Sequence, residues 1–237
     1  ASLSLRFAEG LVRDMVRRGH QVFYMGPNVT PATRKAARGW GAEAVEVPLD
    51  RTGLNPLADF RTFVWLTRFF SKYRPDVLLT RQPKANVYGM LAARKVGIAR
   101  RVAMVTGLGF AFTDGERSLR RSALRIASCL AYKLALGSAE LVLFQNPDDL
   151  EELSRRGLVD RKKTVLTGGT GIDLEVWRPA PPHVEPLTFT LVGRMLAEKG
   201  VREFIAAARE VKRLYPGVHF VLVGPSDKNP GAIPENE

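Results

Sequence analysis

Short apolar runs alternate along this chain with longer segments whose apolar residues recur at helical spacing, and that alternation restricts the fold more than any other feature. Residues 21–25, 42–47, 76–79, 101–105, 141–144 and 163–166 read as strands. Between them lie helical patterns: an opening segment with Leu5, Ala8, Leu11, Val12, Met15 and Val16 on one face and Gly19 as its stop, a helix after Pro31, and further helices over 56–73, 86–96, 119–134 and 147–155. Strands and helices in strict alternation build βαβ units, and hence a parallel sheet with helices on both faces. The expected fold class is α/β, with a Rossmann-like first domain over 1–167. Such a domain normally begins on a strand, whereas this one begins on a helix, so its leading strand is expected to be missing. The Gly/Pro-rich passage 168–186 reads as a linker. A second βαβ unit follows, with strand 187–192, helix 199–214 and strand 218–223, as the expected start of a second domain that is cut short at 237.

Composition narrows the class. With 45% hydrophobic and 25% charged residues, the chain has the makeup of a folded globular protein rather than a disordered or collagen-like one. Cys129 is the single cysteine, so no intramolecular disulfide forms and a reducing, cytoplasmic setting is expected. No Cys/His cluster has zinc spacing, and no apolar run reaches the roughly 18 residues that span a bilayer. The first residue is Ala, which leads to the expectation of sequence before it.

The net charge of +12 is concentrated: residues 1–60 carry +2, residues 61–138 carry +12, and residues 139–237 carry −2. Two helical patterns lie within or overlap that middle segment. Over 119–134, Leu119, Ala123, Ile126, Ala127, Leu130 and Leu134 form the stripe expected to be buried, with Arg117, Arg120, Arg121 and Arg125 opposite it. In the 56–73 helix, Arg61, Arg68 and Lys72 line a stripe beside Trp65 and Phe69. Basic residues interleaved with aromatics suit an anionic membrane surface, although a merely solvated helix face produces the same pattern. No helix-turn-helix, RNP or GXXG signature favours nucleic acid.

The sharpest local signal is Gly193-Arg194-Met195-Leu196-Ala197-Glu198-Lys199-Gly200, directly after the second domain's first strand. Gly193 permits close backbone approach, Arg194 offers a planar fork of donors, Lys199 adds a compact charge, and the following helix start favours an anion. Together they describe a diphosphate site; a plain loop with two solvated cations is the alternative. On the first domain, ligands of a parallel sheet bind beyond the C-terminal strand ends. That rule selects Arg81, Lys84, Thr106, Gly107, Gly109 and Asn146, each of which also reads as part of a plain structural turn, Asn146 in particular as a simple helix cap.

The order of a Rossmann-like domain, a linker and then strand-Gly-Arg-x4-Lys-Gly resembles the GT-B glycosyltransferases, in particular glycosyltransferase family 4. It is closest to bacterial enzymes that extend undecaprenyl-diphosphate-linked sugars in capsule, O-antigen and protein-glycosylation pathways. The stretches that carry the resemblance are Pro83-Lys84-Ala85-Asn86-Val87-Tyr88-Gly89, Val105-Thr106-Gly107-Leu108-Gly109-Phe110-Ala111-Phe112, Phe144-Gln145-Asn146-Pro147-Asp148-Asp149, Gly169-Thr170-Gly171-Ile172-Asp173, and Val223-Gly224-Pro225-Ser226-Asp227. The resemblance implies two Rossmann-like domains and a retaining, metal-independent transfer from a UDP-sugar to a polyprenyl-diphosphate-linked sugar at the cytoplasmic membrane face. It also implies that Arg194 and Lys199 hold the donor diphosphate as it leaves. No Asp-x-Asp occurs, and the family's Glu-x7-Glu element has no match. A different GT-B enzyme such as a nucleotide-sugar epimerase, or a non-enzymatic anion-binding module, stays open at this level.

Overall fold

The structure, a computed structural model, describes residues 3–50, 55–108, 119–182, 184–226 and 231–234, with the side chains of the first and fifth helices described from Ala8 and Ile126 onward. The chain divides into two units, Ala1–Asp173 and Leu174–Glu237, each built from parallel strands and helices.

The first unit runs α1 (Leu3–Arg17), β1 (Phe23–Gly26), α2 (Pro31–Gly39), β2 (Glu43–Glu46), α3 (Pro56–Tyr73), β3 (Val77–Arg81), α4 (Pro83–Val96), β4 (Arg100–Val105), α5 (Leu119–Gly137), β5 (Leu141–Phe144), α6 (Pro147–Arg155) and β6 (Thr164–Leu166). Local chemistry sets several of the boundaries. Thr30, Asn55 and Asn146 cap α2, α3 and α6 through side-chain oxygens that accept backbone N–H groups, and each helix then opens on a proline. Gly97, in the left-handed conformation, ends α4. α4 begins on Pro83, three residues earlier than the apolar periodicity suggests, so Lys84 belongs to its first turn.

The strands form two parallel sheets in this unit, β1–β2 and β3–β4–β5–β6. Among the described residues β1 pairs only with β2 and β3 only with β4, leaving a seam between the two sheets. Side chains tie the sheets together across it: the Phe23 ring of β1 packs on Phe69 and Tyr73 of α3 at 5.6 and 5.1 Å. The main core lies on one face of the larger sheet. Leu78, Thr80, Ala103, Val105, Val142 and Phe144 point into it and meet Phe70, Met90, Leu136 and Leu153 from the helices. A smaller core joins α1, α2 and β2 through Val12, Ala37, Trp40 and Ala44.

The packing of α5 corrects one expectation. Ile126 is 69% exposed, and Ala127, Leu130 and Leu134 are exposed as well, so the described part of the stripe expected inside faces out. Tyr132, Ala135 and Leu136 form the buried face instead. The helix offers two apolar faces, and the one that packs carries small Ala135, which suits the close contact of α5 with α4, and Tyr132, which lies against a buried amide on α4. Among the described residues no helix is long and apolar enough to cross a membrane.

The second unit contains β7 (Thr188–Val192), α7 (Val201–Leu214) and β8 (His219–Val223), with β7 and β8 paired in parallel. A 3-10 turn over Ala197–Lys199 precedes α7.

The contact between α4 and β3 is tight enough to test. A Cβ on Gly89 would sit 2.7 Å from the Thr80 methyl, and Thr80 is itself held by a hydrogen bond to Asn86. Gly89→Ala is expected to lower stability by about 1–3 kcal/mol, read as a lower urea midpoint at unchanged m-value.

Candidate functional site

In the first unit the expected residues gather at the C-terminal ends of neighbouring strands. Arg81 ends β3, Lys84 lies in the first turn of α4, Thr106 and Gly107 follow β4, and Asn146 follows β5. The edge is organised from beneath by Asn86, which is fully buried. Thr80 on β3 donates to its Oδ1 at 2.7 Å, and its Nδ2 donates to the Met104 carbonyl of β4 at 3.0 Å. Tyr132 of α5 lies beside the same amide, and burial holds its phenol above the usual range. A single side chain thus fixes two strands and a helix just below the loops that carry Arg81, Lys84 and Thr106.

The backbone at this edge is strained. Gln82, between Arg81 and Pro83, has φ 75° and ψ 154°, a conformation that costs a non-glycine residue about 1–3 kcal/mol. It places Arg81 and Lys84 on either side of a sharp strand-to-helix corner. Among the described residues Arg81 makes no hydrogen bond or ion pair. Lys84 donates to Asp59 on α3 at 2.7 Å, with both side chains largely buried (19% and 15% exposed). Tyr88, one turn further along α4, lies beside the same carboxylate, and burial followed by that neighbouring carboxylate pushes its phenol well above the ordinary value. Asp59 is therefore the residue that sequence reasoning missed; only its position one turn into a helix next to basic groups hinted at it.

Asn146 spends both polar atoms locally: its Oδ1 accepts from the Asp149 N–H at 2.8 Å and its Nδ2 donates to the Asp149 carboxylate at 2.7 Å. It serves as the cap of α6. The neighbouring Gln145 donates to Thr170 at 2.6 Å, tying the loop after β5 to the passage after β6. Gly109 and Arg117 lie outside the described residues, as do Phe110–Phe112 and Asp227 of the resembling stretches, and the side chains of Arg120, Arg121 and Arg125 are likewise outside them.

In the second unit Gly193 and Arg194 follow β7, and exposed Lys199 ends the 3-10 turn before α7. Backbone bonds hold this loop: the Gly193 N–H donates to the Val223 carbonyl at 2.9 Å and the Met195 N–H to Pro225 at 3.1 Å. Gly224 packs so closely that a Cβ there would lie 1.6 Å from the Gly193 carbonyl oxygen, which excludes every other residue type. Gly200, at φ 75°, caps α7 without a side chain, so the first-turn N–H groups of that helix lack a side-chain partner at the cap. The expected anion site thus comprises Arg194, Lys199 and the uncapped start of α7. Among the described residues no group of His, Cys, Asp and Glu is placed to hold a metal ion.

The glycosyl transferase 4-like domain model matches residues 5–169. The chain belongs to that family. It is 27% identical over 238 residues to the N,N'-diacetylbacillosaminyl-diphospho-undecaprenol alpha-1,3-N-acetylgalactosaminyltransferase of Campylobacter jejuni, covering 94% of this chain and 61% of that protein. It is 25% identical over 191 residues to the UDP-Gal:alpha-D-GlcNAc-diphosphoundecaprenol alpha-1,3-galactosyltransferase of Escherichia coli, covering 75% of this chain and 48% of that protein. Among solved structures, a glycosyltransferase from Rickettsia africae superimposes with a TM-score of 0.62 at 15% identity, over 93% of this chain and 56% of that one. The fold is accordingly α/β of the GT-B kind, and the chain spans about half to three-fifths of the length of these proteins.

The Asp59–Lys84 pair supplies a test of how α3 supports the edge. Asp59→Ala and Lys84→Met are each expected to destabilise the protein, and the double variant to lose less than the sum. The expected coupling is about 1–3 kcal/mol, measured by a double-mutant cycle in urea.

Proposed function

We propose that the full-length protein is a retaining glycosyltransferase. It moves a sugar or N-acetyl sugar from a UDP-sugar to a polyprenyl-diphosphate-linked acceptor, in the synthesis of a cell-surface polysaccharide or glycoprotein glycan. The observation that carries this reading is the placement of Arg194 and Lys199 beside the uncapped start of α7, in a chain of the glycosyl transferase 4-like family. Both curated relatives are named for transfer to diphospho-undecaprenol-linked sugars, which supports the same acceptor chemistry here.

As the glycosidic bond of the donor breaks, negative charge grows on the departing diphosphate. Donors already aimed at that position stabilise the transition state more than the ground state. Arg194 contributes a fork of N–H groups and Lys199 a point charge, and the two cations do in this reading what a metal ion does elsewhere, so the transfer is metal-independent. Arg81 and Lys84 serve the acceptor diphosphate at the strand edge of the first unit, with Thr106 and Gly107 beside them.

The acceptor's lipid sets the location, at the cytoplasmic face of the membrane. The outward stripe Ile126, Leu130 and Leu134 on α5 supports docking on a membrane surface, and the basic excess of residues 61–138 favours an anionic leaflet.

Arg194→Ala in the full-length protein is expected to weaken UDP binding in calorimetry and to lower kcat/KM for the UDP-sugar by about 100-fold or more, with Arg194→Lys intermediate. A full-length protein that consumes no UDP-sugar in the presence of lipid-linked acceptor, and whose UDP binding ignores Arg194, ends the proposal. For docking, replacing Arg120, Arg121 and Arg125 by Glu, or Ile126 and Leu130 by Ser, is expected to abolish flotation with vesicles containing anionic lipid while UDP binding is retained. Unchanged flotation in both variants removes the membrane assignment.

A further inference from the structure

The loop after β7 carries a carboxylate between its two cations. Glu198 follows Arg194 by four residues and immediately precedes Lys199, in the 3-10 turn that leads into α7. A negative side chain at that place opposes an anionic ligand unless it is held aside, because like charges a few ångströms apart repel even where water reaches them. Among the described residues Glu198 forms no ion pair, so neither Arg194 nor Lys199 is neutralised by the carboxylate between them.

Gly231 is what the Glu198 carboxylate lies against. A Cβ on Gly231 would stand 2.5 Å from Glu198 Oε2 and 3.5 Å from its Cδ, so only a residue without a side chain leaves that seat open. The backbone at 231 does not adopt the positive φ that calls for glycine, and the missing side chain is therefore what this position supplies. The seat is also fixed relative to the loop. The Gly231 carbonyl accepts the Ala197 N–H at 2.9 Å, the Ile233 N–H donates to the Met195 carbonyl at 3.1 Å, and Leu196 and Ala232 form an antiparallel bridge between those two bonds. Leu196, at the centre of the bridge, is fully buried.

We propose that Gly231 is a positioning residue of the donor site, which seats the Glu198 carboxylate away from the ground that the donor diphosphate takes between Arg194, Lys199 and the start of α7. The proposal rests on the donor assignment made above. A side chain at 231 meets only the far end of a flexible glutamate, which turns aside readily, so the fold tolerates alanine there. The displaced carboxylate then has Lys199 beside it, Arg194 four residues back and the positive end of α7 ahead of it. These are the groups that a diphosphate uses. A carboxylate tethered next to them competes with the ligand at a high effective concentration.

The test uses the full-length protein, with UDP and inorganic diphosphate as probes in calorimetry. Gly231→Ala is expected to leave the urea midpoint nearly unchanged and to weaken both probes about tenfold at low salt. That deficit should shrink as ionic strength rises, because salt screens the repulsion that causes it. KM for the UDP-sugar should rise by a similar factor, with KM for the lipid-linked acceptor unchanged. Adding Glu198→Gln to Gly231→Ala removes the charge and keeps the size, and is expected to bring both probes back to within about twofold of the unaltered protein. A packing fault at 231 is not cured by an isosteric change at 198. Gly231→Ala without effect on either probe, or a deficit that survives Glu198→Gln, overturns the proposal. So does Glu198→Gln alone if it weakens the probes about tenfold, since the carboxylate then serves the ligand. Arg194→Ala in the same assay separates the two assignments: if it weakens UDP while Gly231→Ala does not, the donor site stands without the seat, and if UDP binding ignores Arg194, the donor assignment fails and the seat with it.

Discussion

A buried amide has two donors and an acceptor that water no longer satisfies, and a protein that encloses one must answer each or forfeit about 1–3 kcal/mol per unmet group. Asn86 is answered from two strands, by Thr80 on β3 and by the Met104 carbonyl on β4. Those bonds fix α4 in rotation and in height above the sheet, so that its first turn falls at the strand ends. The strained corner at Gln82, the reach of Lys84 to Asp59 and the tight seat of Gly89 on Thr80 all depend on α4 being held at that height. An apolar residue at this position would fill the volume yet leave the helix free to slide along a smooth face.

Much of this architecture was legible in the sequence, because buried parallel strands are short continuous apolar runs and the capped helices carry Asn or Thr before proline. The strand 141–144 and the helix 147–155 agree with the structure residue for residue. Two things were not legible, each for a physical reason. The inward face of α5 depends on which of two apolar stripes meets a complementary surface, and periodicity alone does not contain that surface. The partner of Lys84 lies 25 residues earlier in the chain, on a different helix, so the distinction between an engaged cation and a free one is a property of tertiary packing. Asn146 fell the other way: its cap chemistry was readable from Asn before Pro, and the structure spends its side chain on that cap.

The second unit shows a different kind of economy. The loops after β7 and β8 touch through bare backbone, Gly193 against Gly224, which leaves no room for a side chain at the contact. Main-chain bonds from Gly193, Met195 and Ala197 set the loop's shape, so the backbone that carries Arg194 and Lys199 is fixed without their side chains. Preorganisation of that sort lowers the cost of ordering donors around a charged ligand.

The seam between β1 and β3 has a consequence for motion. Strands that share a ladder open together, and amide exchange proceeds in such cooperative blocks. The β3–β6 sheet, with its helices and most of the core, forms one block, while β1 and β2 with α1 and α2 form another, joined to the first by rings, by the packing of Met25 and Val47 and by the Thr62–Pro48 hydrogen bond rather than by a shared strand ladder. Amide exchange is therefore expected to separate the two blocks, with β1 and β2 opening at lower cost than the larger sheet.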